Sequence, residues 1–249
     1  MVDKSLGQHW LKNREILDEI ADLAASEASH ALCLEIGPGL GTLTSSLLKR
    51  FSKVLSVEFD PKLAANLPKS FPGKNLEVIN EDILKFDFSS ISEPYTVVGN
   101  IPYYITSPII EKVLTQPNLP EKVVLLMQKE VAERVCDKKE SVLSLFVKNR
   151  AIPALGPVVL KEEFEPAPKV DSQVLILEPF KNGPKYEEKL FSLIKIAFRA
   201  PRKKLVHNLA SLKPKTELLR IFDELGIDQN ARPADLNLDT YHALFCAIM

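Results

Sequence analysis

The sequence predicts an α/β fold, with a parallel sheet covered by helices and a small all-helical domain after it. Three observations predict this. Short apolar runs alternate with helix-like stretches between residues 31 and 127, EPFKNGPKYEE at 178–188 breaks the alternation, and the chain beyond it is helix-like. The runs ALCLEI (31–36), VLSVEF (54–59), LEVI (76–79), YTVVG (95–99) and VVLLM (123–127) are short and continuous, as strands buried on both faces are. Between them TLTSSLLKRF, PKLAANL and SPIIEKVL are read as helices, and no repeat or low-complexity tract appears. AIPALGPVVL and SQVLILEPF lie close together and are read as strands able to pair as an antiparallel edge. Past the linker, EKLFSLIKIAFRA, KKLVHNLASL, TELLRIFDELG and DTYHALFCAI are read as helices. A unit this small buries little core alone, so it is expected to pack on the larger domain. The expected domains are residues 1–180 and 181–249.

Composition narrows the class. At 249 residues with 45% hydrophobic and 26% charged residues, the chain has the make-up of an ordinary folded protein. No apolar run approaches the length of about eighteen residues that spans a bilayer, and MVDKSLGQHWLKN is too polar for a signal peptide, so no membrane partner is expected. Cys33, Cys136 and Cys246 are scattered without CxxC spacing, which suits a reducing cytoplasm and argues against a disulfide framework or metal site.

LEIGPGLGTLT (34–44) follows the first of the five runs and opens a helix. Gly37, Gly39 and Gly41 allow tight turning and close approach of a ligand to the backbone, and the helix N-terminus offers partial positive charge. The spacing departs from the dinucleotide fingerprint G-x-G-x-x-G, because Thr42 stands where the third glycine belongs. Glu58 closes the second run, where a carboxylate accepts hydrogen bonds from ribose hydroxyls. Asp82, in INEDIL, ends the third and can accept from an adenine amine. Alone, the loop could be a plain strand-to-helix turn with solvated acids; together, these features at one sheet edge point to a nucleoside-containing cofactor.

VVGNIPYYITSP (97–108) then carries an unusual density of chemistry for a turn. The Asn100 side-chain oxygen and the Ile101 carbonyl can both accept, and Pro102 donates nothing and fixes its own φ. Two acceptors at this spacing suit an exocyclic amine with two N–H donors. The adenine N6 lone pair is delocalised into the ring. Holding both N–H groups favours a tetrahedral nitrogen with its lone pair released. Tyr103 can stack on the base, a contact of ~1–3 kcal/mol. The amine sheds its proton after attack, so no catalytic His or Cys is needed.

These residues together resemble the S-adenosylmethionine-dependent N6-adenine methyltransferases, and most closely the ribosomal RNA adenine dimethyltransferase family in its small-subunit (16S) branch. KSLGQHWL (4–11), EIGPGLGTLT, VEFD, EDIL, GNIPYYITSP, FEPAPKVDS (164–172) and AFRAPRKKLVHNL (197–209) resemble the family's motifs in order along nearly the whole chain. The resemblance implies a Rossmann-like methyltransferase sheet with a C-terminal all-helical, RNA-contacting domain. It implies S-adenosyl-L-methionine held by His9, Leu11, Gly37, Gly39, Glu58, Asp82, Ile83 and Asn100. The target base would be held by Asn100, Ile101, Pro102 and Tyr103, with Phe164 on its opposite face. The implied partner is small-subunit ribosomal RNA in an immature small ribosomal subunit, met by a cytoplasmic monomer. His9 and Trp10 depart from the family's Asn and Phe, the segment 136–145 is shorter than the usual loop, and Pro201 interrupts the basic helix.

Residues 199–215, RAPRKKLVHNLASLKPK, hold several cations and no acid. Arg199, Arg202, Lys203 and Lys204 would contact RNA phosphates with strong salt dependence, with Lys4, Lys12 and Arg14 assisting at the cofactor mouth. Because the net charge is only −1, a local patch rather than a global field would make these contacts. Three other readings compete: the large-subunit (23S) antibiotic-resistance branch, a non-catalytic ribosome-assembly factor that kept the fold, and a nicotinamide dehydrogenase. The P-x-P-K-V-D-S tail and basic segment, the intact cofactor residues, and the shifted glycine weigh against them in turn.

Overall fold

The computed structural model describes residues 9–25 and 32–249. The KSLGQ part of the first motif, with Lys4, and the first residue of the 31–36 run therefore lie outside the described residues.

The strands are β1 Trp10–Leu11, β2 Leu32–Ile36, β3 Lys53–Glu58, β4 Leu76–Asn80, β5 Tyr95–Asn100, β6 Lys122–Gln128, β7 Ala151–Val159, β8 Phe164–Glu165 and β9 Ser172–Pro179. The helices are α1 Arg14–Ala24, α2 Thr42–Leu47, α3 Pro61–Ser70, α4 Thr106–Val113, α5 Lys129–Cys136, α6 Val142–Lys148, α7 Leu190–Ala197, α8 Leu205–Leu209, α9 Lys215–Glu224 and α10 Leu238–Ile248. Seven strands form one sheet in the order β4-β3-β2-β5-β6-β9-β7. The five apolar runs are its five parallel strands, and β9 closes against β6 in antiparallel register with β7 beyond it at the edge. This is the α/β architecture expected from the sequence. All five residues of β2 are buried, as a central parallel strand requires.

Strand order reverses beside β2. The chain runs outward through β3 and β4, then returns to lay β5 on the other flank, with Ile36 opposite Gly99. Such a reversal opens a crevice at the carboxyl ends of the strands. Gly99 is needed there, because a Cβ would lie 2.9 Å from the Ile36 carbonyl oxygen.

Two compact units emerge. One comprises residues 1–132 and 153–181; the other comprises 133–152 and 182–249. The helical unit thus takes in residues 133–152 besides the chain after 181, so the boundary expected at 180 is only one of its limits. Hydrogen bonds explain the difference. The Asn149 side chain accepts from the Tyr186 N–H at 2.8 Å and donates to its carbonyl at 3.1 Å, and the Glu140 N–H donates to Ala234 O at 2.9 Å. Among the described residues no helix is long and apolar enough to cross a membrane.

Candidate active site

At the strand-order reversal lies a cavity of about 270 Å³ within the sheet unit. His9, Leu11, Gly37, Gly39, Glu58, Asp82, Ile83, Asn100, Ile101, Pro102 and Tyr103 all line it. The sequence had scattered these residues over nearly a hundred positions; the sheet edge gathers them.

The glycine loop is built differently from a phosphate cradle. Gly37 N–H donates to Val57 O at 2.9 Å and Gly41 N–H to Pro38 O at 2.9 Å, while Gly39 N–H donates to Glu58 Oε2 at 3.0 Å. All three glycine donors are thus engaged inside the protein. Helix α2 is also only six residues long. The glycine amides themselves thus hold the loop together, and only the α2 N-terminus is left for an anionic group. The loop also supplies room: Gly37 sits at φ +63° with nothing within 4 Å of an added Cβ.

Acceptors dominate the walls. Glu58 ends β3 and is 6% exposed; its Oε2 takes the Gly39 N–H and its Oε1 the Asp60 N–H at 2.8 Å. Burial raises its pKa, against the pull of those backbone donors. Asp82 falls two residues beyond β4, and its Oδ1 accepts the Leu84 N–H at 3.0 Å, an Asx turn that orients the carboxylate. Glu35, which the sequence reading passed over as part of a buried strand, also lines the cavity and is 1% exposed. Thr44 Oγ1 and Ser56 Oγ donate to its Oε2 at 2.7 and 2.9 Å, while its Oε1 has no partner. Burial pushes the carboxyl up to about 7, with the two hydroxyls opposing the shift.

At the fourth strand end, Asn100 closes β5 and donates Nδ2–H to the His9 carbonyl at 2.9 Å. A carbonyl can only accept, so the amide nitrogen must face it and Oδ1 is turned the other way. Ile101 extends the ladder through its N–H to Leu126 O at 3.1 Å and buries its side chain. Pro102, at φ −59° and ψ 134°, leads into the single 3₁₀ turn Tyr103–Ile105. The Tyr103 hydroxyl bonds Ser172 Oγ at 2.8 Å, and its ring lies near-parallel to His9 with centroids 6.0 Å apart. Burial raises the Tyr103 pKa, moving the phenol still further from ionisation.

An N-terminal arm completes this wall. β1 pairs antiparallel with β8, Trp10 opposite Glu165 and Leu11 opposite Phe164. His9 Nδ1 lies 2.7 Å from Pro166 O and carries the proton there, since the carbonyl must accept. Lys12 pairs with Glu165, and Arg14 bonds Ser45 Oγ at 2.8 Å.

Two expectations need correction. Phe164 does not line the cavity. It is 4% exposed and packs with Leu11, Val159 and Val174 in the core, because its pairing with Leu11 turns both side chains inward. The basic residues Arg199, Arg202, Lys203 and Lys204 are exposed, but on turns between α7 and α8 rather than on a helix. Pro201 lacks a donor and disfavours helical geometry at Ala200. Asn208 Nδ2 closes that turn on the carbonyls of Ala197 (2.5 Å) and Ala200 (3.0 Å). Lys204 Nζ bonds Asn230 Oδ1 at 2.6 Å; among the described residues, the other three make no ion pair.

The chain is similar to known proteins along nearly its whole length. A "Ribosomal RNA small subunit methyltransferase A" of Mycoplasmopsis pulmonis is 37% identical over 97% of this chain and 97% of its own. A dimethyladenosine transferase from Plasmodium falciparum superposes with a TM-score of 0.79 at 29% identity, covering 95% of this chain and 96% of that one. The 23S rRNA methyltransferase ErmE does so with a TM-score of 0.77 at 29% identity, over 96% and 99% of the two chains. The profile of the family described as "Ribosomal RNA adenine dimethylase" matches residues 2–249, and the chain belongs to that family.

Proposed function

We propose that this protein transfers methyl groups from S-adenosyl-L-methionine to the N6 amines of two adjacent adenines in the 3′-terminal hairpin of small-subunit (16S) ribosomal RNA. The product is N6,N6-dimethyladenosine, formed on an immature small subunit by a cytoplasmic monomer. The observation that carries this reading is the acceptor character of the cavity. Its three loop glycine N–H groups are engaged internally, while Glu35 Oε1 stands buried and unpartnered beside Glu58 and Asp82. A pyrophosphate would meet carboxylates and none of the three glycine donors, whereas a cationic cofactor is welcome.

The residues present fit that cofactor. Glu58 suits the ribose hydroxyls, Asp82 and Ile83 the adenine, and Glu35 with Gly37 the charged remainder, alongside His9 and Leu11. When bound, S-adenosylmethionine supplies an electrophilic methyl group. The protein's own part is orientation. Asn100 Oδ1, turned by the His9 carbonyl, and the Ile101 carbonyl accept the two amine N–H groups and free the nitrogen lone pair. Pro102 fixes the path of the chain between them and Tyr103, which stacks on the base. The Tyr103 phenol, protonated at neutral pH as any tyrosine is and held further from ionisation by burial, is no base; the amine's proton leaves to solvent after attack. Arg199, Arg202, Lys203 and Lys204 contact RNA phosphates. The curated relatives support the small-subunit branch: those at 33–39% identity are named for small-subunit ribosomal RNA.

The test is mass mapping of small-subunit RNA from cells lacking the gene, complemented with the parent or with Asn100→Ala. Two adjacent unmethylated adenines restored to dimethyladenosine by the parent alone is the expected result. In vitro, Asn100→Ala should lower kcat by about 10²–10³-fold while cofactor Kd moves little. Complete dimethylation without the gene, or equal loss of kcat and cofactor binding, refutes the reading.

A further inference from the structure

The 3₁₀ turn Tyr103–Ile105 presents two tyrosines side by side, and the fold treats them in opposite ways. Tyr103 is half-buried and pinned by Ser172 and His9. Tyr104 lines the same cavity, yet 64% of it is exposed. Among the described residues its hydroxyl has no hydrogen bond and its ring no aromatic partner. Successive residues of a 3₁₀ turn project about 120° apart, so a ring fixed in the cavity wall sends its neighbour to the mouth. An aromatic ring left in water adds little to stability, since its energetic value lies in the apolar area that it buries.

Location decides what the ring is for. Phe59 is the other strongly exposed aromatic on the cavity, at 61%, but it follows Glu58 on the side proposed for the cofactor. Tyr104 continues the Asn100–Tyr103 segment, on the side proposed for the substrate base. Phe164, lying in the core, offers no ring there. We infer that Tyr104 is a stacking platform for the nucleotide adjoining the one whose base enters the cavity, so that it sets affinity for the RNA strand and not for the cofactor. The inference rests on the proposed reading of the cavity as an adenine-methylating site. Stacking on a ring face is tolerant of base identity. A methyl group on N6 leaves that face in place, so the same platform serves when the strand advances by one nucleotide and the second adenine enters.

The experiment compares the parent with Tyr104→Ala, Tyr104→Phe and Tyr104→Trp on unmethylated small ribosomal subunits, with cofactor affinity measured by calorimetry. Tyr104→Ala should raise KM for the particle by about 5- to 150-fold, with cofactor Kd unchanged. Tyr104→Phe and Tyr104→Trp, which keep a ring, should recover most of that loss. An unchanged KM in Tyr104→Ala overturns the inference, as does a parallel loss of cofactor affinity or a failure of both ring-bearing variants to recover. If the parent itself transfers no methyl to adenine N6, the reading of the cavity fails and the inference falls with it. An active parent with an indifferent Tyr104→Ala removes the inference alone.

Discussion

Replacing Glu35 by Gln isolates the most perturbed carboxyl of the cavity. The substitution keeps the shape, keeps an oxygen for the Thr44 and Ser56 hydroxyls, and removes the charge. Glu35 titrates near 7 in the fold against an ordinary value of 4.5. At 1.36 kcal/mol per unit, that gap corresponds to about 3 kcal/mol. The sign follows from proton binding. Between pH 4.5 and 7 the native state holds a proton that the unfolded chain has released, so this contribution to stability falls as pH rises through the window and is level above it. Glutamine does not titrate. Parent and Glu35→Gln should therefore have similar stability near pH 4.5, and the variant should be more stable by about 3 kcal/mol at pH 8, or ~6–12 °C in Tm for a chain of this length. Urea unfolding of the cofactor-free protein at several pH values reads this directly. Cofactor binding should move the other way. Parent affinity for S-adenosylmethionine should rise as pH passes through 7 and Glu35 ionises, and Glu35→Gln should bind weakly without that rise. Parallel stability profiles for the two proteins would refute the argument that this carboxyl is buried at a cost to the fold.

Two further outcomes follow from the corrections above. Phe164→Ala should cost about 3–5 kcal/mol of stability, as loss of a core aromatic does, while Phe164→Leu recovers most of it; unchanged stability with a raised KM for RNA would return Phe164 to the substrate. Removing charge at both Arg202 and Lys203 should weaken binding to small-subunit RNA and flatten the salt dependence by about 0.7–0.9 in log–log slope per lost phosphate contact. A slope that does not move places the RNA backbone elsewhere.

Glu58, Asn100 and the glycine loop were legible because each sits at or near a strand end in a local pattern, and alternation of strands and helices puts such ends on one edge. Glu35 was hidden by its own surroundings, LCLEI reading as a buried strand. The available signal was the charge itself, since a carboxylate in a fully buried run needs a reason. The bonds that orient the site left no trace in the sequence: His9 O and Asn100 are 91 positions apart, and Tyr103 and Ser172 are 69 apart. Phe164 was placed from a resemblance to a motif, and only the two-residue pairing of β8 with β1 shows which way it points. The basic segment kept its charge and the helix α8, but that helix starts only at Leu205, because Pro201 holds the preceding cations in turns.

The inward-facing donors of Gly37, Gly39 and Gly41 bear on life in a crowded cell. Triphosphates and dinucleotides share an adenosine half with S-adenosylmethionine and could compete through it alone. A loop with its glycine amides already engaged, fronting the Glu58 and Asp82 carboxyls, keeps those three donors from such phosphates. The three glycine amides of that loop are therefore committed to holding its shape before any nucleotide arrives.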